Sequence, residues 1–378
     1  MIKMNNKLNV ISYIREHVIT DRQSVSTFLG INVSTSKRIV DDLVSEGVVR
    51  YLGVNESTGG RKSTKIGINY NYGLNLVIKV EVDKLIFSLV DFEPKVLNHL
   101  ICEFPVGTSF EEIETLLKEN IVKMIVEANA LSTPLFSVGI AISGVVSRDS
   151  STLISSTLLG WQNIEFKNLI ESWFKIPTYV ENDVNCAVIA EHWYGKGRGL
   201  NSFVLLTLGK GTGSGIVLDN LLFKGSFGGA GEIGHSIFEK DGKQCYCGQK
   251  GCLEMYTNED YLLEQFGVKQ LTESMLEKIY NKDKEKTQKV LNDFAVNIIS
   301  GIINLVVVIE PERIVIGGEM SYIYNYVADI IAERVNANWI NSLHQSTKVD
   351  VVKSDLGSDS FVKGLAVKLM SKVFEKQY

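Results

Sequence analysis

The sequence predicts an α/β protein of two related halves, carried behind a small helical head that ends in a β-hairpin. Three observations predict it. First, 378 residues with 45% apolar and 22% charged content describe a globular chain too long for one ordinary core. Second, residues 1–70 hold ten Lys/Arg against six Asp/Glu, a net +4, which leaves −9 for the rest of a chain whose formal charge is −5. A basic head on an acidic body points to a nucleic-acid-binding segment attached to something else. Third, a strand pair followed by helices occurs twice after residue 73, the mark of a duplicated architecture with a cleft between lobes.

The head comes first. Leu8, Val10, Ile11, Ile14 and Val18 recur at helical spacing. After a break at Thr20-Asp21, Ser24, Val25, Phe28 and Leu29 predict a short second helix that stops at Gly30. Asn32-Val33-Ser34 reads as a turn leading into an N-cap. A third helix then runs from Thr35 through Ile39, Val40, Leu43 and Val44 to Gly47. This is a helix-turn-helix pattern. The polar start of the third helix carries Ser34, Thr35, Ser36, Lys37 and Arg38. Such groups contact phosphates and base edges when a helix N-terminus enters a major groove. Val48 to Leu52 reads as a strand and Lys65 to Ile68 as its return. Between them lies a basic, glycine-rich tip with Arg61 and Lys62, suited to a minor groove or a phosphate. Together they predict a winged helix-turn-helix domain over 1–70. The bland reading is a protein-contact module with a solvated hairpin.

The body follows a polar connector, Asn69 to Gly73. Leu74 to Val82 and Leu85 to Val90 read as an antiparallel pair, Phe110 to Asn129 as an amphipathic helix, and Phe136 to Ile142 as a buried strand. Ile164 to Phe174 is helical, Thr178 to Val180 a short strand, and Asn182 to Tyr194 a helix opening on Asn182-Asp183. The second half begins with strand Phe203 to Leu208, a glycine run from Gly209 to Gly215, and strand Ile216 to Leu218. Helices reach about Ile309. Strands at Arg313 to Ile316 and Val349 to Val352, a helix from Tyr322 to Asn336, and a closing helix over 356–378 complete the chain. The expected division is a first lobe over 73–185, with the closing helix packed on it, and a second over 186–355.

The strongest chemical signal is His235 with Cys245, Cys247 and Cys252, in the pattern H-x9-C-x-C-x4-C. Three thiolates and one imidazole make a four-ligand set for tetrahedral Zn2+, with no position left open for water. The expectation is a structural zinc. Cys102 and Cys186 read as small buried apolar residues. The first nine residues carry no signal-peptide core. The apolar run near Ile298 to Ile309 is interrupted by Ser300, Gly301 and Asn304 and reads as too short for a bilayer. A cytoplasmic protein without a membrane partner is expected.

The stretches Leu208 to Gly215, Ala230-Gly231-Glu232-Ile233-Gly234-His235, and Cys245-x-Cys-Gly-x-x-Gly-Cys252-x-Glu254 resemble the ROK family of repressors, open reading frames and kinases. Leu159-Gly160-Trp161 and Glu181-Asn182-Asp183-Val184-Asn185 match as well. The resemblance runs from about residue 73 to the end. The head is similar to that of the repressor branch, which includes xylose repressors and regulators of glucose and N-acetylglucosamine use. It implies an actin-like two-lobed sugar kinase fold, a structural zinc, a sugar in the cleft and self-association as a homodimer or dimer of dimers. By resemblance, the sugar-facing groups are Asn182, Asp183, Glu232, His235 and Glu254. Carboxylates and amides are apt, because sugar hydroxyls need donors and acceptors in fixed pairs. Asp183 at a helix start is an acceptor favoured by the helix dipole, or else a plain N-cap. One His235 nitrogen can ligate zinc while the other donates to a hydroxyl.

Kinases of this family carry an Asp-x-Gly-x-Thr type phosphate loop near the start of the body. The matching region here, Ile78 to Leu85, has no glycine and no threonine; Lys79 falls where the aspartate would be and Glu81 where the first glycine would be. Bulky residues and a carboxylate oppose close approach of a phosphate. Gly209 to Gly215 suits either ATP or a tight hairpin. No catalytic residue is assigned. The resulting expectation is a sugar-responsive transcriptional repressor that binds operator DNA. The alternative is an ATP-dependent, glucokinase-like sugar kinase bearing a DNA-binding head.

Overall fold

The computed structural model describes residues 6–54, 63–336, 348–357 and 359–377. Arg61 and Lys62 lie outside them. In chain order the elements are α1 (Asn6–His17), β1 (Thr20–Asp21), α2 (Arg22–Leu29), α3 (Val33–Ser45), β2 (Val49–Val54), β3 (Thr64–Ile68), β4 (Leu74–Val80), β5 (Lys84–Val90) and β6 (Val96–Glu103). Then come α4 (Phe110–Ala130), β7 (Leu135–Ile142), β8 (Val145–Val146), β9 (Leu153–Ser156), β10 (Trp161–Ile164), α5 (Phe166–Phe174), β11 (Thr178–Asn182) and α6 (Asp183–Tyr194). The remainder is β12 (Phe203–Leu208), β13 (Thr212–Leu218), β14 (Leu221–Leu222), α7 (Glu259–Phe266), α8 (Glu273–Lys282), α9 (Lys284–Ile309), β15 (Arg313–Gly317), α10 (Tyr324–Val335), β16 (Asp350–Lys353) and α11 (Ser360–Gln377). The chain forms two compact units: residues 1–140, 167–179 and 365–378, and residues 141–166 and 180–364.

In the first unit, β1, β3 and β2 make a three-stranded sheet in that order, so the break at Thr20-Asp21 is a short strand paired with Ile66 and Lys65. Asp21 caps α2 by accepting the Ser24 amide, and Gly30 ends it at φ 61°, left-handed backbone that glycine adopts without strain. The third helix starts at Val33, ahead of the expected Thr35, because Asn32 is the cap: its Oδ1 accepts the Thr35 amide at 2.8 Å. Ser36 is fully buried and donates to the Arg22 carbonyl at 2.8 Å, so it ties α3 to α2. This corrects the expectation that Ser36 faces solvent with its neighbours. The reason is helical phase: Ser36, Ile39, Val40 and Leu43 share the inward stripe of α3.

The head does not form a compact unit by itself. Val10, Ile14, Val25, Val40, Leu43 and Ile66 share one buried cluster with Phe92, Met370 and Phe374. The connector is less polar than it reads. Tyr72 stacks on Phe136 with centroids 5.2 Å apart, and Arg15 reaches Ser371 Oγ of α11 at 2.8 Å. The larger sheet of this unit has the order β11-β7-β4-β5-β6.

In the second unit the sheet order is β14-β13-β12-β15-β16, which repeats the first order reversed in direction of reading. β12 pairs antiparallel with β13 and parallel with β15. Half of the glycine run is strand, since β13 begins at Thr212. The glycines there serve packing: a Cβ at Gly215 would fall 2.6 Å from Val188 and one at Gly213 3.2 Å from Val184, so their absence lets α6 lie on β13. α9 is 26 residues long and, by length and composition, apolar enough to cross a membrane, contrary to the reading of its apolar run as short. It is nevertheless a core helix here: Leu291, Phe294, Ile298 and Ile302 are buried in one cluster with Val204, Leu206 and Ile314 of the sheet. α11 starts against α6, where a Cβ at Gly364 would lie 1.7 Å from the Cys186 carbonyl.

Candidate functional site

All five residues expected to face a sugar belong to the second unit. Asn182 is the N-cap of α6. Its Oδ1 accepts the Asn185 amide at 3.0 Å and its Nδ2 donates to the Gly144 carbonyl at 3.0 Å, so both ends of the amide have protein partners. Asp183 is therefore the first helical residue rather than the cap, and it is half-buried. Beneath this pair lies Glu181, which is 0% exposed. Its Oε1 accepts the Asn182 amide at 3.0 Å and Asn185 Nδ2 at 3.1 Å, and its Oε2 meets Lys224 Nζ at 3.2 Å. Lys224 Nζ also donates to Ser150 Oγ at 3.2 Å.

Glu232 and His235 come from a loop laid backbone to backbone on β13. The Ser214 amide donates to the Gly231 carbonyl at 2.9 Å. A Cβ at Gly231 (φ +96°) would sit 2.0 Å from the Ser214 carbonyl, and one at Gly234 2.1 Å from the Thr212 carbonyl. Only glycine permits that approach. The 3-10 turn Ile233–His235 follows, and a second such turn, Leu253–Tyr256, carries Glu254. Glu254 is buried; its Oε2 accepts the Thr212 amide at 2.9 Å, while its Oε1 is buried without a hydrogen-bond partner. A buried acceptor left unmatched calls for a donor. The Glu232 carboxyl is pushed above its ordinary range, first by loss of water and then by the Glu254 and Asp183 carboxylates, with His235 opposing. His235, Glu254 and Asp183 are thus each within electrostatic reach of Glu232. A cavity of about 340 Å3 opens beside Ser214, Gly231, Glu232 and His235.

The metal-ligating atoms of His235, Cys245, Cys247 and Cys252 all lie within 4.8 Å of one another. His235 Nδ1 is 3.7 Å from Cys245 Sγ, and Cys247 Sγ is 3.6 Å from Cys252 Sγ. Four ligands around zinc at Zn–S distances of about 2.3 Å stand about 3.8 Å apart, so this spacing fits a tetrahedral ion. Turn chemistry brings them together. The Cys245 amide donates to the Gln249 carbonyl at 2.8 Å, and Gly248 (φ +96°) turns the chain between them. Burial, then the neighbouring thiols, push Cys252 up to about 12, and burial also raises Cys245. Burial acts the same way on Cys247, but the Gln249 amide and the two other thiols outweigh it and hold that thiol low. Crowded thiols of this kind release their protons to a dication. Since Nδ1 faces the sulfurs, Nε2 is the His235 nitrogen left for another partner. Tyr246 packs edge-on to the imidazole at 5.6 Å; burial and the Glu254 carboxylate push its phenol up.

The two hairpin turns suggested for phosphate differ. Between β4 and β5 the Glu81 amide donates to the Lys84 carbonyl at 3.0 Å, and the Glu81 carboxylate pairs with Lys79 at 2.9 Å and Lys84 at 3.1 Å. Between β12 and β13 the Gly209 amide donates to the Gly211 carbonyl at 3.1 Å. Burial and the Glu319 carboxylate raise Glu259 nearby. In the head, Ser34, Lys37 and Arg38 are exposed at the start of α3 and Thr35 is half-buried. Lys224, Glu181 and Ser150 escaped sequence reasoning as site residues. A lone lysine in a loop forms no pattern, and only Glu181 had a signal, its place beside Asn182-Asp183.

The sequence pattern of the ROK family matches residues 76–372. A xylose repressor from Caldicellulosiruptor bescii is 27% identical over 371 residues, covering 93% of this chain and 92% of that protein. A glucokinase from Halalkalibacterium halodurans is 33% identical over 205 residues, covering 50% of this chain and 62% of that enzyme. Among solved structures, a ROK family transcriptional regulator described as a homologue of the Escherichia coli MLC protein superposes with a TM-score of 0.84, at 19% identity, over 97% of this chain and 96% of that one.

Proposed function

The chain belongs to the ROK family, and we propose that within it this protein is a sugar-responsive, DNA-binding repressor of carbohydrate-utilisation genes. The observation that carries the sugar site is Glu254 Oε1, a buried acceptor without a donor, grouped with Asp183, Glu232 and His235. A polyol supplies hydroxyls that donate to carboxylates and accept from an imidazole N–H. The xylose repressor's match over nearly the whole chain, head included, supports a regulator over an enzyme. The head reads as a winged helix-turn-helix: Ser34, Thr35, Lys37 and Arg38 on α3, with Arg61 and Lys62, would meet operator DNA as a homodimer or dimer of dimers. Zinc at His235, Cys245, Cys247 and Cys252 would supply folding energy to a loop with little core of its own, and would fix which imidazole nitrogen faces the sugar. No step of catalysis is assigned. Glu81, paired with two lysines, stands where a phosphate would need open backbone.

For a sugar to act on DNA binding it must prefer one arrangement of the protein over another. The continuous helix α11 offers a route: it starts against α6, which carries Asp183, and further along it is gripped by Arg15 of α1. The test is thermal shift with D-xylose, D-glucose and N-acetyl-D-glucosamine, followed by binding to DNA selected from a random library. One sugar should raise the Tm and change DNA affinity, and Glu254→Gln should remove both effects. Sugar phosphorylation from ATP that disappears in Asp183→Asn would establish the kinase instead.

A further inference from the structure

The ion pair between half-buried Lys224 and fully buried Glu181 joins two segments that carry sugar-facing residues. Lys224 Nζ is bound to Glu181 and to Ser150, and the Lys224 main-chain carbonyl accepts the Ala230 amide at 3.3 Å. That last bond closes the loop 224–230, whose next residues are Gly231 and Glu232. Glu181 in turn holds the Asn182 amide and the Asn185 side chain, and so sets the start of α6 and the position of Asp183. Ser150, the third partner, sits at φ 61°, and its carbonyl accepts the Val180 amide at 2.8 Å.

We infer that Lys224 is a positioning residue: its ammonium fixes the loop bearing Glu232 and His235 against the helix start bearing Asp183, and so sets the spacing of the sugar-reading groups. The inference rests on the sugar-site reading given above. The Asp183 and Glu254 carboxylates both bear unfavourably on Glu232, and a loop and a helix end held only by their own turns would spread under that repulsion. A cation bonded to Glu181 and Ser150 from the residue that closes the loop 224–230 ties the two segments together. Replacing a buried ion pair by neutral groups of like size is often neutral for stability, whereas breaking it from one side is strongly destabilising. That asymmetry separates a positioning role from a structural one.

The experiment compares wild type, Lys224→Met, Lys224→Arg and the double variant Lys224→Met with Glu181→Gln. Each is measured for Tm, zinc content and calorimetric affinity for D-xylose, D-glucose and N-acetyl-D-glucosamine. Lys224→Met should lower the Tm and weaken the preferred sugar at least tenfold. The double variant should regain the wild-type Tm and keep its zinc while remaining at least tenfold weak for the sugar. Lys224→Arg should recover part of the affinity. A double variant that regains both Tm and affinity, or one that does not fold, makes the pair structural and overturns the inference. So does a Lys224→Met protein that binds as wild type does. If the wild type binds none of the three sugars, the sugar-site reading falls, and this inference with it.

Discussion

The hairpins β4–β5 and β12–β13 occupy equivalent places in two sheets of the same strand order, yet their turns are built from opposite materials. The first has no glycine and is pinned by Glu81 between Lys79 and Lys84. The second passes through Gly209 and Gly211 and lies under the Glu254 carboxylate, which accepts the Thr212 amide at 2.9 Å. A Cβ at Gly211 would stand 2.9 Å from Glu254 Oε2. A side chain at this position would have to displace that carboxylate, so the glycine is matched to Glu254. Strand order duplicates readily; turn chemistry is free to diverge, because it answers to whatever packs on the turn.

The comparison can be broken most severely at the His235, Cys245, Cys247 and Cys252 cluster, whose stretch leads on to Glu254. Cys247→Ser, or removal of metal by a chelator, should lower the Tm by about 10 °C or more, since structural zinc supplies folding free energy on the order of 10 kcal/mol in small zinc modules. Differential scanning calorimetry with zinc analysis checks this, and active, folded protein without zinc would refute it. Next in size is Gly211→Ala. Its Cβ should displace Glu254 and weaken sugar binding about tenfold, or about 1.4 kcal/mol, with zinc retained. Calorimetric titration measures the loss, and unchanged affinity would detach the turn from the site. The smallest effect belongs to the first turn. Glu81→Gln should change stability by no more than about 1 kcal/mol, leave sugar affinity alone and confer no ATP turnover. A large change in sugar affinity would show that the two turns are not so different after all.

Much of the fold was legible because its signals are local. Helical spacing of Leu8, Val10, Ile11 and Ile14 marked α1, and the strand Phe203–Leu208 has the bounds its apolar run predicts. Where reading erred, the local pattern was ambiguous or too short. α3 starts at Val33 with Asn32 as its cap, where a turn over Asn32-Val33-Ser34 and a helix from Thr35 were expected, because several side chains there satisfy the composition and only backbone geometry chooses. The small strands β8 to β10 and the edge strand β6 were not anticipated. The first three are only two to four residues long, too short for a period to register. In β6 outward residues such as Val96, Leu97 and Ile101 blur the alternation.

Sequence by itself determined the family and singled out the cluster of His235, Cys245, Cys247 and Cys252 that could hold a metal ion. The four residues of that cluster fall in one short stretch, and the glycines around them stand where the chain must turn tightly or touch a strand, so the pattern survives without knowledge of the rest. Tertiary structure alone decided three matters: that Ser36 is buried, that Glu254 keeps one oxygen without a donor, and that Lys224 pairs with Glu181. The physical reason is common to all three. Burial and pairing of a polar group depend on what the fold carries in from distant parts of the chain, and no spacing rule records that.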